Sequence, residues 1–129
     1  MLDHFGFVVT DLDASSRFYE ACLAPLGLQI IERHDYGAVI FAKSPDNALP
    51  FMWIGTARPS FWTEDNEAAK SPAHLAFKAT SKEAVEAFYT AALSSGGTDN
   101  GKPGERGPGY YAAYVLDPDG NNIEAGYRF

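Results

Sequence analysis

The chain repeats itself. Shifting it by seventy positions aligns His4 with His74, Phe7 with Phe77, Thr10 with Thr80, Ala14 with Ala84, Phe18-Tyr19 with Phe88-Tyr89, Ala21 with Ala91, Leu23 with Leu93 and Gly27 with Gly97, without a gap. The likeness fades and then returns at Ser44-Pro45-Asp46 against Asp117-Pro118-Asp119, seventy-three apart. A repeat constrains architecture before any element is assigned, because each copy is one supersecondary unit that stacks on the next. The expectation is one small unit written twice.

At 129 residues the chain has the length of a single domain, able to bury about two thirds of its unfolded surface. A hydrophobic share of 46%, with 14% aromatic, excludes a disordered chain and points to apolar lining somewhere. No run reaches transmembrane length, and no basic segment followed by an apolar one opens the chain. The ten basic residues are scattered singly in a chain of net charge −7, which argues against nucleic-acid binding. These features lead to the expectation of a soluble cytoplasmic protein. The one cysteine, Cys22, has no internal partner, and its helical surroundings suggest a small buried apolar residue.

Phe5 to Val9 alternates as a strand, with Phe5, Phe7 and Val9 on one face and His4, Gly6 and Val8 on the other. Its twin sets Leu75, Phe77 and Ala79 against His74, Ala76 and Lys78. The aromatic face suits a covering helix, and the small residue two positions after each histidine leaves space in front of it. Asp11 and Ser81 are matched N-caps, each opening a helix that should end near Gly27 or Gly97. Val85, Phe88, Tyr89 and Ala92 follow helical spacing. Residues 28–33 and 36–42 read as strands, 44–47 as a turn and 50–54 as a last short strand. In the second half, 96–109 is rich in Gly, Pro and charge and reads as a long loop. Tyr110 to Leu116 then resumes strand character, Asp117 to Gly120 is a turn, and Asn121 to Gly126 closes the unit. The fold class expected is α+β: one domain over 1–129, built of two tandem βαβββ modules (about 1–55 and 72–129, linker 56–71). Their curved mixed sheet would cup a metal or ligand site.

Three residues have metal-ligand character at corresponding places: His4 and His74 on the first strand of each half, and Glu124 on the last strand of the second. Two imidazoles and a carboxylate form a facial triad that leaves coordination positions open for water or substrate. Alone, His4 would read as an exposed or hydrogen-bonded residue; its match with His74 strengthens ligation. Glu124, flanked by Ile123 and Ala125, needs a partner if its strand is central. His34, in His34-Asp35-Tyr36-Gly37, reads as a solvated turn residue.

The sequence resembles the vicinal oxygen chelate superfamily, which includes glyoxalase I, the extradiol dioxygenases and the fosfomycin and bleomycin resistance proteins. The resemblance covers essentially the whole chain. It rests on Leu2-Asp3-His4 leading into Val9-Thr10-Asp11-Leu12-Asp13-Ala14-Ser15, on Phe18-Tyr19, on His74-Leu75-Ala76-Phe77 with Phe88-Tyr89, and above all on Asp117-Pro118-Asp119-Gly120-Asn121-Asn122-Ile123-Glu124. It implies paired modules around a divalent metal, usually in a homodimer, with His4, His74 and Glu124 at the family's ligand positions. In glyoxalase I the first module also supplies a glutamate from its last strand; here that place falls within Phe51-Met52-Trp53, none of them a ligand. The implied set is therefore His, His, Glu, which accepts iron, manganese, zinc or nickel.

For a small-molecule substrate, Arg106 is the loop residue able to hold an anionic group bidentately, although an exposed salt-bridging role is the simpler reading. Phe51 and Trp53 could floor an apolar pocket or simply be core. Of Tyr110 and Tyr111, alternation sends one to the cup and one to the helix side, and Tyr111 is taken as the inward one. Two functions follow. The first is a divalent-metal enzyme of lyase, isomerase or dioxygenase type acting on a small oxygen-bearing substrate. The alternative is a metal-independent binding or antibiotic-resistance-like sequestration protein using Trp53, Phe51 and Tyr111.

Overall fold

The repeat folds as two like units. A computed structural model describes residues 1–68 and 73–129, so the end of the expected linker (69–71) and the first position of the expected second module (72) lie outside the described residues. In the first unit β1 (His4–Val8) leads to α1 (Leu12–Leu23), a 3-10 turn at Ala24–Leu26, then β2 (Gln29–His34), β3 (Ala38–Ala42) and β4 (Phe51–Gly55). The second runs β5 (His74–Lys78), α2 (Lys82–Ser94), β6 (Thr98–Gly107), β7 (Tyr110–Leu116) and β8 (Asn122–Arg128). Each makes a four-stranded mixed sheet, ordered β1-β4-β3-β2 and β5-β8-β7-β6, with the first and last strands of each unit parallel. The architecture is the expected α+β pair of curved βαβββ modules. None of the described helices is long and apolar enough to cross a membrane.

Local chemistry explains the helix limits. Asp11 accepts a hydrogen bond from the Ala14 amide at 2.9 Å, and Ser81 accepts one from the Ala84 amide at 3.1 Å. Each cap satisfies one of the first-turn amides that lack an intrahelical acceptor. The matched glycines do different work. Gly27 ends the 3-10 turn in the left-handed region at φ 79°, where only glycine is free of strain. Gly97 instead lies where a Cβ would sit 2.6 Å from the buried Phe18 ring.

The segment expected as a loop over 96–109 is largely the strand β6. Its pairing with β7 shifts register three times, between Asp99 and Gly101, Gly101 and Gly104, and Glu105 and Gly107. As β6 is an edge strand, the missing amide of Pro103 and the glycine irregularities do not break a central ladder. Gly/Pro content thus marks a bulged edge here rather than a coil.

Both helices pack together and share one core with the inner faces of both sheets, centred on Phe18, Tyr19, Phe41, Ile54, Phe88 and Ile123. Cys22 is fully buried in it, and burial pushes its thiol far above the ordinary range, which makes it an apolar packing residue. The turn after β7 ties the units together. Asp117 accepts from the Tyr19 hydroxyl of α1 at 2.6 Å, and Asp119 accepts from the Thr10 amide at 3.0 Å and from the Thr10 hydroxyl.

Tyr19 carries a pH prediction. Burial, and then the Asp117 charge, hold its phenol well above the ordinary tyrosine value. The folded state therefore keeps a proton that the unfolded chain releases near pH 10. Stability from this group is complete below that pH and falls as pH rises beyond it, by up to about 1.4 kcal/mol per pH unit. Urea unfolding at pH 8 to 11 should show the decline, and Tyr19→Phe should make it shallower. An equally steep decline in the variant would exclude Tyr19 as a source.

Candidate metal and ligand faces

The two histidines emerge from equivalent strands on the faces turned away from the helices, but they meet different neighbours. His4 is more than half exposed; its Nδ1 lies 2.7 Å from Asp3 Oδ1, and its ring stacks on Phe51 with centroids 4.7 Å apart and planes 5° from parallel. That arrangement fixes the imidazole plane and engages Nδ1 with Asp3. His74 Nε2 lies 2.6 Å from Glu124 Oε2, and the Glu124 side chain is only 4% exposed. The hydroxyl of Tyr110 donates to the other oxygen, Oε1.

Strand register explains why these groups converge. The tight turn at Asp117 to Gly120 sets Leu116 opposite Asn122, and thereby Tyr114 opposite Glu124 and Tyr110 opposite Arg128. With a period of two, Tyr110, Tyr114 and Glu124 share one face. Tyr111 therefore points the other way, against the inward placement expected from the sequence: its hydroxyl donates to Glu86 of α2 at 2.9 Å, and Lys82 lies over its ring. Arg128 lies over the Tyr110 ring and Arg106 over the Tyr114 ring. Arg106 also donates to the Lys102 carbonyl, so its guanidinium is partly engaged on its own strand. Burial first, and then the Glu124 carboxylate, push the Tyr110 phenol up to about 12, which keeps its hydroxyl a donor at neutral pH.

The parallel ladders locate the first unit's counterpart of Glu124. Ala76 pairs with Glu124 in the second sheet, and Gly6, the residue matching Ala76, pairs with Trp53 in the first. Trp53 thus occupies the place of Glu124. Its indole lies against Gly55 and Gly6; a Cβ on Gly6 would sit 3.1 Å from the ring edge. Among the described residues no three His, Cys, Asp or Glu side chains gather to hold a metal ion. His74 and Glu124 are together, and His4 stands apart on the other sheet.

A cavity of about 1050 Å³ opens on the first sheet, floored by His4, Ile40, Phe51 and Trp53 and bordered by the connection after β4. Arg58 holds that connection in shape, donating to the carbonyls of Asn66 (3.3 Å) and Thr63 and lying over Trp62. Of the four residues considered for substrate contact, Phe51 and Trp53 line this cavity, whereas Arg106 and Tyr111 do not. From the sequence, Tyr110 is set against Tyr111 and placed outward, and Tyr114, Arg58 and Trp62 are not among the expected site residues. The two tyrosines were legible from the register that the Asp-Pro-Asp-Gly turn imposes; Arg58 and Trp62 lie in an irregular segment with no periodicity to read.

The Glyoxalase/Bleomycin resistance protein/Dioxygenase superfamily model matches residues 1–125. No curated protein sequence matches the chain. Among solved structures, a glyoxalase/bleomycin resistance protein from Albidiferax ferrireducens is 30% identical over 99% of both chains, with a TM-score of 0.80. A glyoxalase-related enzyme from Fulvimarina pelagi shares the fold at 18% identity, with 99% of this chain and 88% of that one covered and a TM-score of 0.73. So does a lactoylglutathione lyase from Agrobacterium tumefaciens, at 20% identity, 98% and 92% coverage and a TM-score of 0.65. With its duplicated βαβββ units, matched strand histidines and closing-hairpin glutamate, the chain belongs to the Glyoxalase/Bleomycin resistance protein/Dioxygenase superfamily.

Proposed function

We propose that this is a divalent-metal enzyme of lyase, isomerase or dioxygenase type acting on a small oxygen-bearing substrate, with His74, Glu124 and His4 as the metal ligands. The observation that carries the reading is the buried Glu124 carboxylate, with His74 on one oxygen and Tyr110 on the other. A carboxylate so placed is costly without cationic compensation, and an imidazole nitrogen beside a carboxylate oxygen is a donor set suited to iron, manganese, zinc or nickel. When bound, such an ion polarises a substrate oxygen as a Lewis acid. The chain's own contribution is orientation: Tyr110 restrains Glu124, while Asp3 and Phe51 restrain His4.

As His4 does not reach the other two within one chain, the third ligand is supplied by a second copy in a homodimer. Mixing His4→Ala and Glu124→Gln proteins tests both parts. Neither variant alone should retain stoichiometric metal, whereas each heterodimer has one of its two sites intact, so an equimolar mixture after subunit exchange should regain about a quarter of the wild-type content by elemental analysis. Wild-type protein purified without chelator that holds no divalent ion would sink the metal reading. Metal in the wild type without recovery on mixing would sink only the shared site.

The cavity on the first sheet favours a second reading, metal-independent binding through Phe51 and Trp53. It predicts ligand affinity unchanged by chelator or by Glu124→Gln.

A further inference from the structure

We infer that the cavity on the first sheet binds a flat aromatic ring system without negative charge, cationic forms preferred, between Trp53 on its floor and Trp62 on its border. This deepens the second reading above and rests on it; the cavity shares His4 with the metal reading, but neither Glu124 nor His74 lines it.

The floor is built for a flat face. Trp53 lies against the two glycines Gly55 and Gly6, where any side chain would meet its ring. Beside it His4 and Phe51 form a parallel stack. The border is also aromatic and is held in place. The Trp62 amide donates to the Pro59 carbonyl at 3.1 Å, the Thr63 amide donates to Asn66 Oδ1 at 2.8 Å, and Arg58 spans the segment through two carbonyls. A ring entering here exchanges water for indole faces, which favours offset stacking and large apolar burial. A volume of about 1050 Å³ is large enough to admit a fused ring system.

Charge decides the preference. Asp65 and Glu67 line the cavity, and Arg58 is the only Lys or Arg among the described lining residues. Its guanidinium is already committed to the Thr63 and Asn66 carbonyls and to the Trp62 face. Among the described lining residues an anion would meet two carboxylates and no uncommitted Lys or Arg. A cation would gain both carboxylates and the indole faces, the stronger case for a partly desolvated site.

The chain has two tryptophans, Trp53 and Trp62, and both line the cavity, so intrinsic fluorescence reports occupancy directly. Protein kept in excess chelator is titrated with one ring in three charge states: 9-aminoacridine (cationic), acridine (neutral) and acridine-9-carboxylate (anionic). Binding should quench emission in the wild type and in both Trp53→Phe and Trp62→Phe, since each retains one reporter. The cation should bind about tenfold tighter than the carboxylate. In the exposed double variant Asp65→Asn/Glu67→Gln the ratio should fall below about threefold, which separates charge recognition from misfolding. The idea is overturned if no acridine quenches, if only one single-tryptophan variant responds, if the carboxylate binds as tightly as the cation, or if the double variant keeps the full preference. Since chelator is present throughout, a metal-free protein leaves this result standing, and a failure here leaves the metal site untouched.

Discussion

Asp117→Ala is expected to lower the unfolding free energy by about 4 kcal/mol, the largest loss from a single side chain outside the apolar core. Asp117 is 3% exposed and accepts four hydrogen bonds: from the Asp119 and Asn121 amides on Oδ1, and from Tyr19 and the Asn121 side chain on Oδ2. Removing it leaves the fully buried Tyr19 hydroxyl without its acceptor and frees the turn that docks the second unit on α1. Each orphaned buried group costs about 1–3 kcal/mol. Tyr19→Phe takes away one of the four donors and should cost about 1–2 kcal/mol. The double variant should lose less than the sum of the two, since the orphaned hydroxyl is then gone. Urea unfolding measures all three. Additive losses, or an Asp117→Ala cost below about 1 kcal/mol, would mean that the turn is not the tie between the units. The exposed pair of Arg33 and Glu20, at 3.8 Å, serves as a control expected to change stability by under about 0.5 kcal/mol.

That tie also shows what the sequence could and could not convey. The Asp-Pro-Asp-Gly signature reads as a turn because its residue types are turn formers, and it is one. Its contact with Tyr19 spans 98 positions, and no local pattern encodes such a partner. The repeat predicted the paired architecture because each copy carries the same period-two strand and capped helix, whose physics is local. It could not distinguish the two matched glycines, one needed for a left-handed turn and one for the approach of Phe18, since both demands select the same residue.

Strand β6 departs from the loop expected over 96–109 for a related reason. Gly and Pro weaken a central strand but are tolerated at an edge with bulges, and edge position is a property of the assembled sheet. The face of Tyr111 followed from register alone. Counting back from the turn puts Tyr114, and hence Tyr110, beside Glu124, which alternation without a fixed pairing could not decide. At the candidate site the sequence pointed to His4, His74 and Glu124; the structure brings the last two together and leaves His4 apart on the other sheet. It also sharpened the ligandless stretch Phe51-Met52-Trp53 to a single residue: Trp53 is where the repeat exchanges a carboxylate for a flat aromatic surface.

On the proposed metal reading, that exchange makes Glu124 the one carboxylate for a metal at these paired positions, and Glu124→Gln should weaken divalent-ion affinity about 100-fold or more. The substitution keeps shape while removing charge. The glutamine carbonyl can still accept from Tyr110, and its amide can face His74, whose Nε2 then accepts. Unfolding free energy should therefore move by no more than about 1 kcal/mol, so that lost metal reflects lost ligation rather than a lost fold. Tyr110→Phe makes the complementary case. It retains the ligand but removes the hydroxyl that restrains Oε1, and a freed carboxylate must be ordered again on binding; the expected loss is about tenfold, as for other groups that orient a ligand. Competition against a metal-responsive chelating dye ranks the three proteins. If Glu124→Gln binds as tightly as the wild type, the ion is held elsewhere. If Tyr110→Phe loses as much as Glu124→Gln, Tyr110 is more than an orienting group.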